Sequence, residues 1–197
     1  MKIYDISREL LSSRVYPGDP TPKLRVLSSI DEGDLYNLTA INMSVHCGTH
    51  IDAPLHFISG GESIYEMDLS LTVGPACVII HNGIMDKTAA LTVIEKAKEY
   101  GNDASKRILI KGNSTVSEEA AIELGDSGIM LLGVESMSVG PINAPMAAHI
   151  ALLSKKVAIL ENLNLDEVEE GEYFLSAAPI KIEGAEGSPC RAILIKQ

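Results

Sequence analysis

The run Gly74-Pro-Ala-Cys-Val-Ile-Ile-His-Asn82, "GPACVIIHN", decides the fold class. It is apolar over a strand's length without alternation. That pattern marks a strand buried on both faces, as in a parallel sheet covered by helices. Downstream, "DKTAALTVIEKAKEYG" spaces Leu91, Ile94 and Ala97/Lys98 as a helix, with Gly101 as its C-terminal cap. "RILIKG" (107–112) reads as the next strand. Ser117 then caps a helix that carries Glu118 and Glu119 in its first turn, where carboxylates complement the helix dipole. "GIMLLGV", "APMAAHIALLSKK" and "VAILEN" repeat strand, helix and strand. This alternation predicts an α/β fold.

The flanks are richer in strands. "MKIYDI" reads as a short strand, followed by "VYPGDPTPK", whose prolines deny the ladder its donors and make a loop. "NLTAINMSVH" (37–46) alternates, with Thr39, Ile41, Met43 and Val45 on one face. The tail "YFLSAAPIKIEG…SPCRAILIKQ" reads as two strands around a Gly-rich turn. No repeat or linker divides the chain. The expectation is one α/β domain over residues 1–197, with a mixed, partly closed β-sheet and flanking helices.

Apolar residues make up 46% and charged residues 22%, as in a globular domain. The net charge of −11 repels phosphate backbones, which argues against nucleic acid as a partner. No run of 18 apolar residues marks a membrane span, and the first ten residues lack the apolar stretch of a signal peptide. Cys47, Cys77 and Cys190 form no CxxC pair and fit reduced thiols, so a cytoplasmic location is expected.

Three of the five histidines fall in His46–His56, "HCGTHIDAPLH". If the chain stays extended over 46–52, His46, His50 and Asp52 share a face, and Pro54 ends the pairing just beyond. Two neutral imidazoles and a carboxylate suit Zn²⁺ or Mn²⁺ and leave a position for water. A lone histidine, by contrast, is more often a packed core residue. That is the plain reading of His149 in "MAAHIALL" taken alone. Glu161 ends the apolar "VAIL", so its carboxylate is either solvated at a loop or bound to something positive. Cys47 has the opposite parity from His46 and His50 and reads as a small buried residue. His81 reads as structural or surface.

"HCGTHIDAPLHF" resembles the H-x-G-T-H-x-D-x-P-x-H-F motif of the cyclase-like metal-dependent hydrolase family, which includes bacterial kynurenine formamidases and isatin hydrolases. "YDIS…VYPGDP", "LTVGPACVI", "GIMLLGV", "HIALLSKKVAILENLNL" and "APIKIEG…GSPCRAI" are similar to further family blocks, in family order. The resemblance implies a swivelling β/β/α-like fold. It implies one or two Zn²⁺ ions, or Mn²⁺, held by His46, His50, Asp52, His149 and Glu161, with Asp52 and Glu161 bridging. His56 matches the family's proton donor and acceptor. Tyr16 stands where formamidases commonly carry a tryptophan against the substrate. The implied activity is hydrolysis of a C–N amide bond by metal-activated hydroxide, as when N-formyl-L-kynurenine and water give L-kynurenine and formate. The tyrosine leaves a cyclic amide, imide or lactone open as substrate, and a non-catalytic metal- or metabolite-binding relative is the alternative in kind. Glu135 replaces a more usual aspartate, and Ser138 is a candidate pocket residue. A homodimer or homotetramer is expected.

Overall fold

In the computed structural model, which describes residues 1–196, the apolar run becomes β5 (Val73–Ile80), buried from Ala76 to Ile79. It pairs parallel with β7 (Arg107–Lys111), which pairs parallel with β9 (Leu131–Val134), and that in turn with β10 (Ala158–Glu161). Antiparallel strands extend both sides of this core. Beyond β5 lie β11 (Gly171–Ser176), β13 (Ile193–Lys196) and β1 (Lys2–Asp5); beyond β10 lie β4 (His50–Asp52) and β12 (Gly187–Pro189). The nine-stranded mixed sheet curls into a half-barrel, as the sequence leads one to expect.

The sheet's two faces carry two apolar clusters because strand side chains alternate. Cys77, Ile79, Ile108, Ile110, Leu132 and Ile159 face the helices α1 (Lys87–Lys98), α2 (Glu118–Asp126) and α3 (Met146–Leu153). Ala76, Val78, Leu109, Leu131 and Leu160 fill the opposite face with Ile51 and Leu163. Each fully buried Leu or Ile contributes about 1.5–3 kcal/mol. Asp86 and Ser117 cap α1 and α2, accepting from the amides of Ala89 and Ala120. Within α1 the buried face is Ala90, Val93, Ile94 and Ala97; Leu91, expected inward, is exposed, and Glu99 rather than Gly101 is the capping residue.

Two minor sheets complete the fold: the antiparallel pair β2 (Lys23–Ser28) and β3 (Leu38–Asn42), and the parallel pair β6 (Gly83–Met85) and β8 (Ser114–Val116). The tail holds three strands rather than two. "PIKIEG" is irregular because Pro179 and Gly184 interrupt pairing, and Gln197, at the end of the expected last strand, lies outside the described residues. The strand expected over 37–46 stops at Asn42. From Val45 the chain turns, with Gly48 at φ +65°, before β4 begins. His46 therefore does not share an extended strand with His50 and Asp52.

Candidate active site and metal centre

β4 is three residues long and wholly buried, and it lies between β10 and β12. Its antiparallel register with β10 sets Glu161 opposite His50, and directly opposed residues project from the same face. Asp52, two residues on, shares that face, while Ile51 points into the core behind. Asp52 is fully buried at the middle of the site.

Two backbone carbonyls orient two of the imidazoles. Nδ1 of His50 donates to the carbonyl of Gly48 at 2.8 Å, and Nδ1 of His149, on α3, donates to that of Pro145 at 2.8 Å. A carbonyl only accepts, so the proton sits on Nδ1 and both Nε2 atoms are left facing the carboxylates. Nε2 of His50 lies 3.4 Å from Asp52 Oδ1 and 3.5 Å from Glu161 Oε2. Nε2 of His149 lies 3.2 Å from Glu161 Oε1 and 3.5 Å from Asp52 Oδ2.

His46 arrives by the turn rather than along a strand. Its Nδ1 donates to Asp52 Oδ1 at 2.9 Å, and its Nε2 lies 3.4 Å from Glu186 Oε1 but is not aligned to hydrogen-bond it. His56 ends a short 3₁₀ turn that starts at Pro54, and its ring stacks on His46 with centroids 4.0 Å apart. All five residues expected from the resemblance as ligands thus converge, with His56 beside them. Five of these six fall into two groups that share Asp52, namely His46, Asp52 and His56, and His50, Asp52 and Glu161, within each of which the candidate donor atoms lie within 4.8 Å of one another; His149 is in neither group and meets the site through Glu161 Oε1 and Asp52 Oδ2.

Burial alone would lower the His50 and His149 imidazoles. The Glu161 and Asp52 carboxylates outweigh it, pushing His50 up to about 9 and His149 up to about 10. Conversely, burial raises Asp52, but His149, its Nε2 3.5 Å away, and the hydrogen bond from His46 hold it well below the usual carboxylate range. Glu161 is also raised by burial and by Asp52, yet its bonds to His149 and His50 leave it lowered. His56, whose largest influence is burial, is lowered. Two buried oxygens, Asp52 Oδ2 and Ser138 Oγ, have no hydrogen-bond partner. Inward-facing Nε2 atoms around two buried carboxylates, one with an orphaned oxygen, fit a divalent cation.

A cavity of about 350 Å³ opens onto this cluster. Tyr16 lines it, and its hydroxyl donates to the Ile142 carbonyl at 2.7 Å. Ser138 also lines it, and the next amide, Val139, donates to Glu161 Oε1 at 2.7 Å. Glu135 is structural: its carboxylate accepts the amides of Gly112 and Leu165. Cys47 is buried, and burial raises its thiol; His81 is tied to the Ser114 hydroxyl.

Sequence reasoning missed Phe57, Asp19, Asn162 and Glu186, all on the cavity wall. Phe57 carried a signal, since it completes the quoted motif. Asn162 follows Glu161 with φ +57°, a left-handed conformation that asparagine tolerates. Its amide donates to the Ser136 carbonyl, and its own carbonyl accepts from Thr49. Glu186 reaches the site only through β12: the Ala53 amide donates to its carbonyl at 2.9 Å. No local pattern announces that.

Comparison with known proteins agrees with this geometry. A kynurenine formamidase of Bacillus cytotoxicus is 33% identical over 204 residues, 96% of this chain and 95% of the relative. A protein of Bacillus stearothermophilus described as a predicted metal-dependent hydrolase superposes with a TM-score of 0.80 at 30% identity, covering 98% of this chain and 97% of that one. Isatin hydrolase A of Labrenzia aggregata shares the fold, with a TM-score of 0.84 at 24% identity over 100% of this chain and 94% of its own. The cyclase family model matches residues 4–141, and with that match, and with relatives a third identical over nearly their whole length, the chain belongs to the cyclase family.

Proposed function

We propose that this chain is a metal-dependent hydrolase of a C–N amide bond, with an N-formylated aromatic amine of the N-formyl-L-kynurenine type as its substrate class. The observation that carries this reading is Asp52, buried and with one oxygen unpartnered, shared between two groups of imidazole and carboxylate donors. His46, His50, Asp52, His149 and Glu161 would hold the metal, with Zn²⁺ the favoured ion and Mn²⁺ a possible substitute. A divalent cation there supplies Lewis acidity, which acidifies water and polarises an acyl oxygen.

The chain's own residues do the rest. The Gly48 and Pro145 carbonyls hold the Nδ1 protons of His50 and His149, so it is the Nε2 atoms that face the metal position and would ligate once their protons leave. His56, at the cavity wall beside His46, is placed to take a proton from water and return it to the leaving amine. Phe57 packs its ring on His149 with centroids 4.5 Å apart and helps keep bulk water from the cluster. Tyr16 offers an aromatic face to the substrate.

A smaller cyclic amide or imide is the second reading. The cavity lies near the lower end of the roughly 300–1,000 Å³ usual for ligand pockets, and its only aromatic side chains other than histidine are Tyr16 and Phe57. Residues 1–197 act as one domain in this reading, working as a homodimer or homotetramer in the cytoplasm. No helix of the described residues is long and apolar enough to cross a membrane.

The test is a screen of metal-loaded protein against N-formylkynurenine, formanilides, isatin and simple lactams and imides. Hydrolysis that a chelator abolishes and added Zn²⁺ or Mn²⁺ restores would support the assignment. Metal-loaded protein inert toward every member would overturn it in favour of a binding role.

A further inference from the structure

A second cavity adjoins the catalytic one. Its volume is about 800 Å³, and Met137, Ser138 and Asn162 line both spaces. The shared wall carries an unmet polar group: Ser138 is 5% exposed, and its Oγ has no hydrogen-bond partner. The backbone around it is fixed. The Ser138 carbonyl accepts the Ser136 hydroxyl at 2.6 Å, and the next amide donates to Glu161 Oε1 at 2.7 Å. A buried hydroxyl held without a partner is destabilising until a ligand completes it.

The two cavities differ in charge. No lysine or arginine lines the catalytic cavity, whose wall holds Asp19, Glu161 and Glu186. Arg8 and Arg14 line the second. Among the described residues, neither guanidinium has an ion-pair, hydrogen-bond or aromatic partner, whereas Arg107 donates to the Leu71 and Pro75 carbonyls and Arg191 pairs with Asp5. The acids of the second cavity are already engaged. Glu9 accepts the amides of Leu11 and Ser12, and Glu135 accepts those of Gly112 and Leu165. The charged groups left over there are both cations, in a chain of net charge −11.

Both arginines sit on backbone that is tied to the catalytic residues. The Arg8 amide donates to Thr49 Oγ1 at 2.9 Å, and that hydroxyl donates to the Asn162 carbonyl at 2.6 Å. Arg8 is thus anchored to the chain neighbours of His50 and Glu161. Arg14 lies two residues before Tyr16, whose hydroxyl donates to the carbonyl of Ile142 on the second cavity's wall.

We propose that the second cavity is the subsite for an anionic group of the substrate, a carboxylate received by Arg8 and Arg14, with the Ser138 hydroxyl contacting the substrate where the cavities meet. This rests on the hydrolase reading above. Guanidinium groups match carboxylates with paired, charge-assisted hydrogen bonds. The same carboxylate turned into the catalytic cavity would meet Asp19 and Glu186 instead.

The test is calorimetric binding of L-kynurenine and kynuramine to metal-loaded, full-length protein. The two share an aryl ketone and an amine, and only the first carries a carboxylate. Arg8→Gln/Arg14→Gln is expected to weaken kynurenine about 10- to 100-fold, the scale of hydrogen bonds to charged groups, and to leave kynuramine within about twofold. Ser138→Ala is expected to weaken both ligands alike, because the hydroxyl meets the part they share. Both arginines are exposed, so the double variant should fold as wild type does by circular dichroism. Unchanged kynurenine affinity in the double variant, an equal loss of both ligands, or no kynurenine binding to wild type would each overturn the proposal. Inorganic phosphate binding wild type more tightly than kynurenine would also overturn it, since the arginines would then serve a free anion. Unchanged binding in Ser138→Ala would strike Ser138 from the subsite. Formanilide has no anionic group, so its turnover by wild type tests the catalytic reading separately. Turnover with equal losses of the two ligands refutes the subsite alone, and carboxylate-selective binding without turnover refutes the hydrolase alone.

Discussion

Glu161 stands directly opposite His50 across the β10–β4 pairing, their side chains 3.5 Å apart, while the other Glu161 oxygen lies 3.2 Å from His149 and accepts the Val139 amide. One carboxylate thus ties a strand, a helix and a loop to a single point. Glu161→Gln keeps the shape and can still accept the Val139 amide, but it removes the charge. The expected outcome is a folded protein whose metal affinity falls at least 10–100-fold, the scale seen even for residues that only support ligands. Elemental analysis after dialysis checks this, and unchanged metal content would remove Glu161 from the ligand set.

His50 and His56 should separate metal binding from proton transfer. His50→Ala is expected to lose the metal. His56→Ala is expected to keep it and lose roughly 10²–10⁴-fold in turnover. The grouping of His56 with His46 and Asp52 makes this comparison informative. If His56→Ala loses metal as well as rate, His56 is a ligand and the proton shuttle must be sought elsewhere.

Much of this cluster was legible in the sequence, and the limits are physical. His50 and Asp52 could be placed together because period-2 geometry holds within three extended residues. For His46 the extended-strand reading does not hold: Gly48, at φ +65°, turns the chain, and the imidazole folds back onto Asp52 instead of running alongside it. His149 and Glu161 carry no local signal stronger than that of core residues. Only pairing over more than a hundred residues brings Glu161 opposite His50, so the family motif had to supply them. The "GPACVIIHN" run succeeded because burial on both faces is a property of one strand. The end of β3 at Asn42 was missed because alternation continues past the point where pairing stops.

Metal uptake should release protons. In the metal-free chain His50 and His149 are pushed up to about 9 and about 10, so both imidazoles are protonated at neutral pH, and ligation requires their Nε2 lone pairs. Calorimetric titration with Zn²⁺ in buffers of differing ionisation enthalpy should report about two protons released per site near pH 7.5. Metal affinity should rise with pH across the neutral range. The same shifts fix the stability of the metal-free protein. A histidine raised above its unfolded value near 6.5 stabilises fully below that value, and its contribution is lost as pH rises through the folded value. Metal-free protein is therefore expected to be less stable to urea at pH 10 than at pH 6. Equal stability at the two values, or no proton release, would contradict the ion-paired cluster.

Gly187 links the sheet edge to the site. It opens β12, pairs with Asp52, and leaves room for the His46 ring: a Cβ there would lie 2.8 Å from His46 Cε1 and 3.0 Å from the Ile51 carbonyl oxygen. A backbone oxygen held in a sheet yields little, whereas an imidazole at the end of a turn can move. Gly187→Ala should therefore fold, at a cost of about 1–3 kcal/mol for the overpacking, with His46 displaced from Asp52. The expected signature is a loss of metal from the His46 side of the cluster, with kcat/KM falling at least 10-fold, while His50, Asp52, His149 and Glu161 retain what they hold. Elemental analysis beside a urea unfolding curve separates the two effects. A variant that is destabilised but keeps full metal content and rate would show that His46 does not need this space, and so does not act where the geometry puts it.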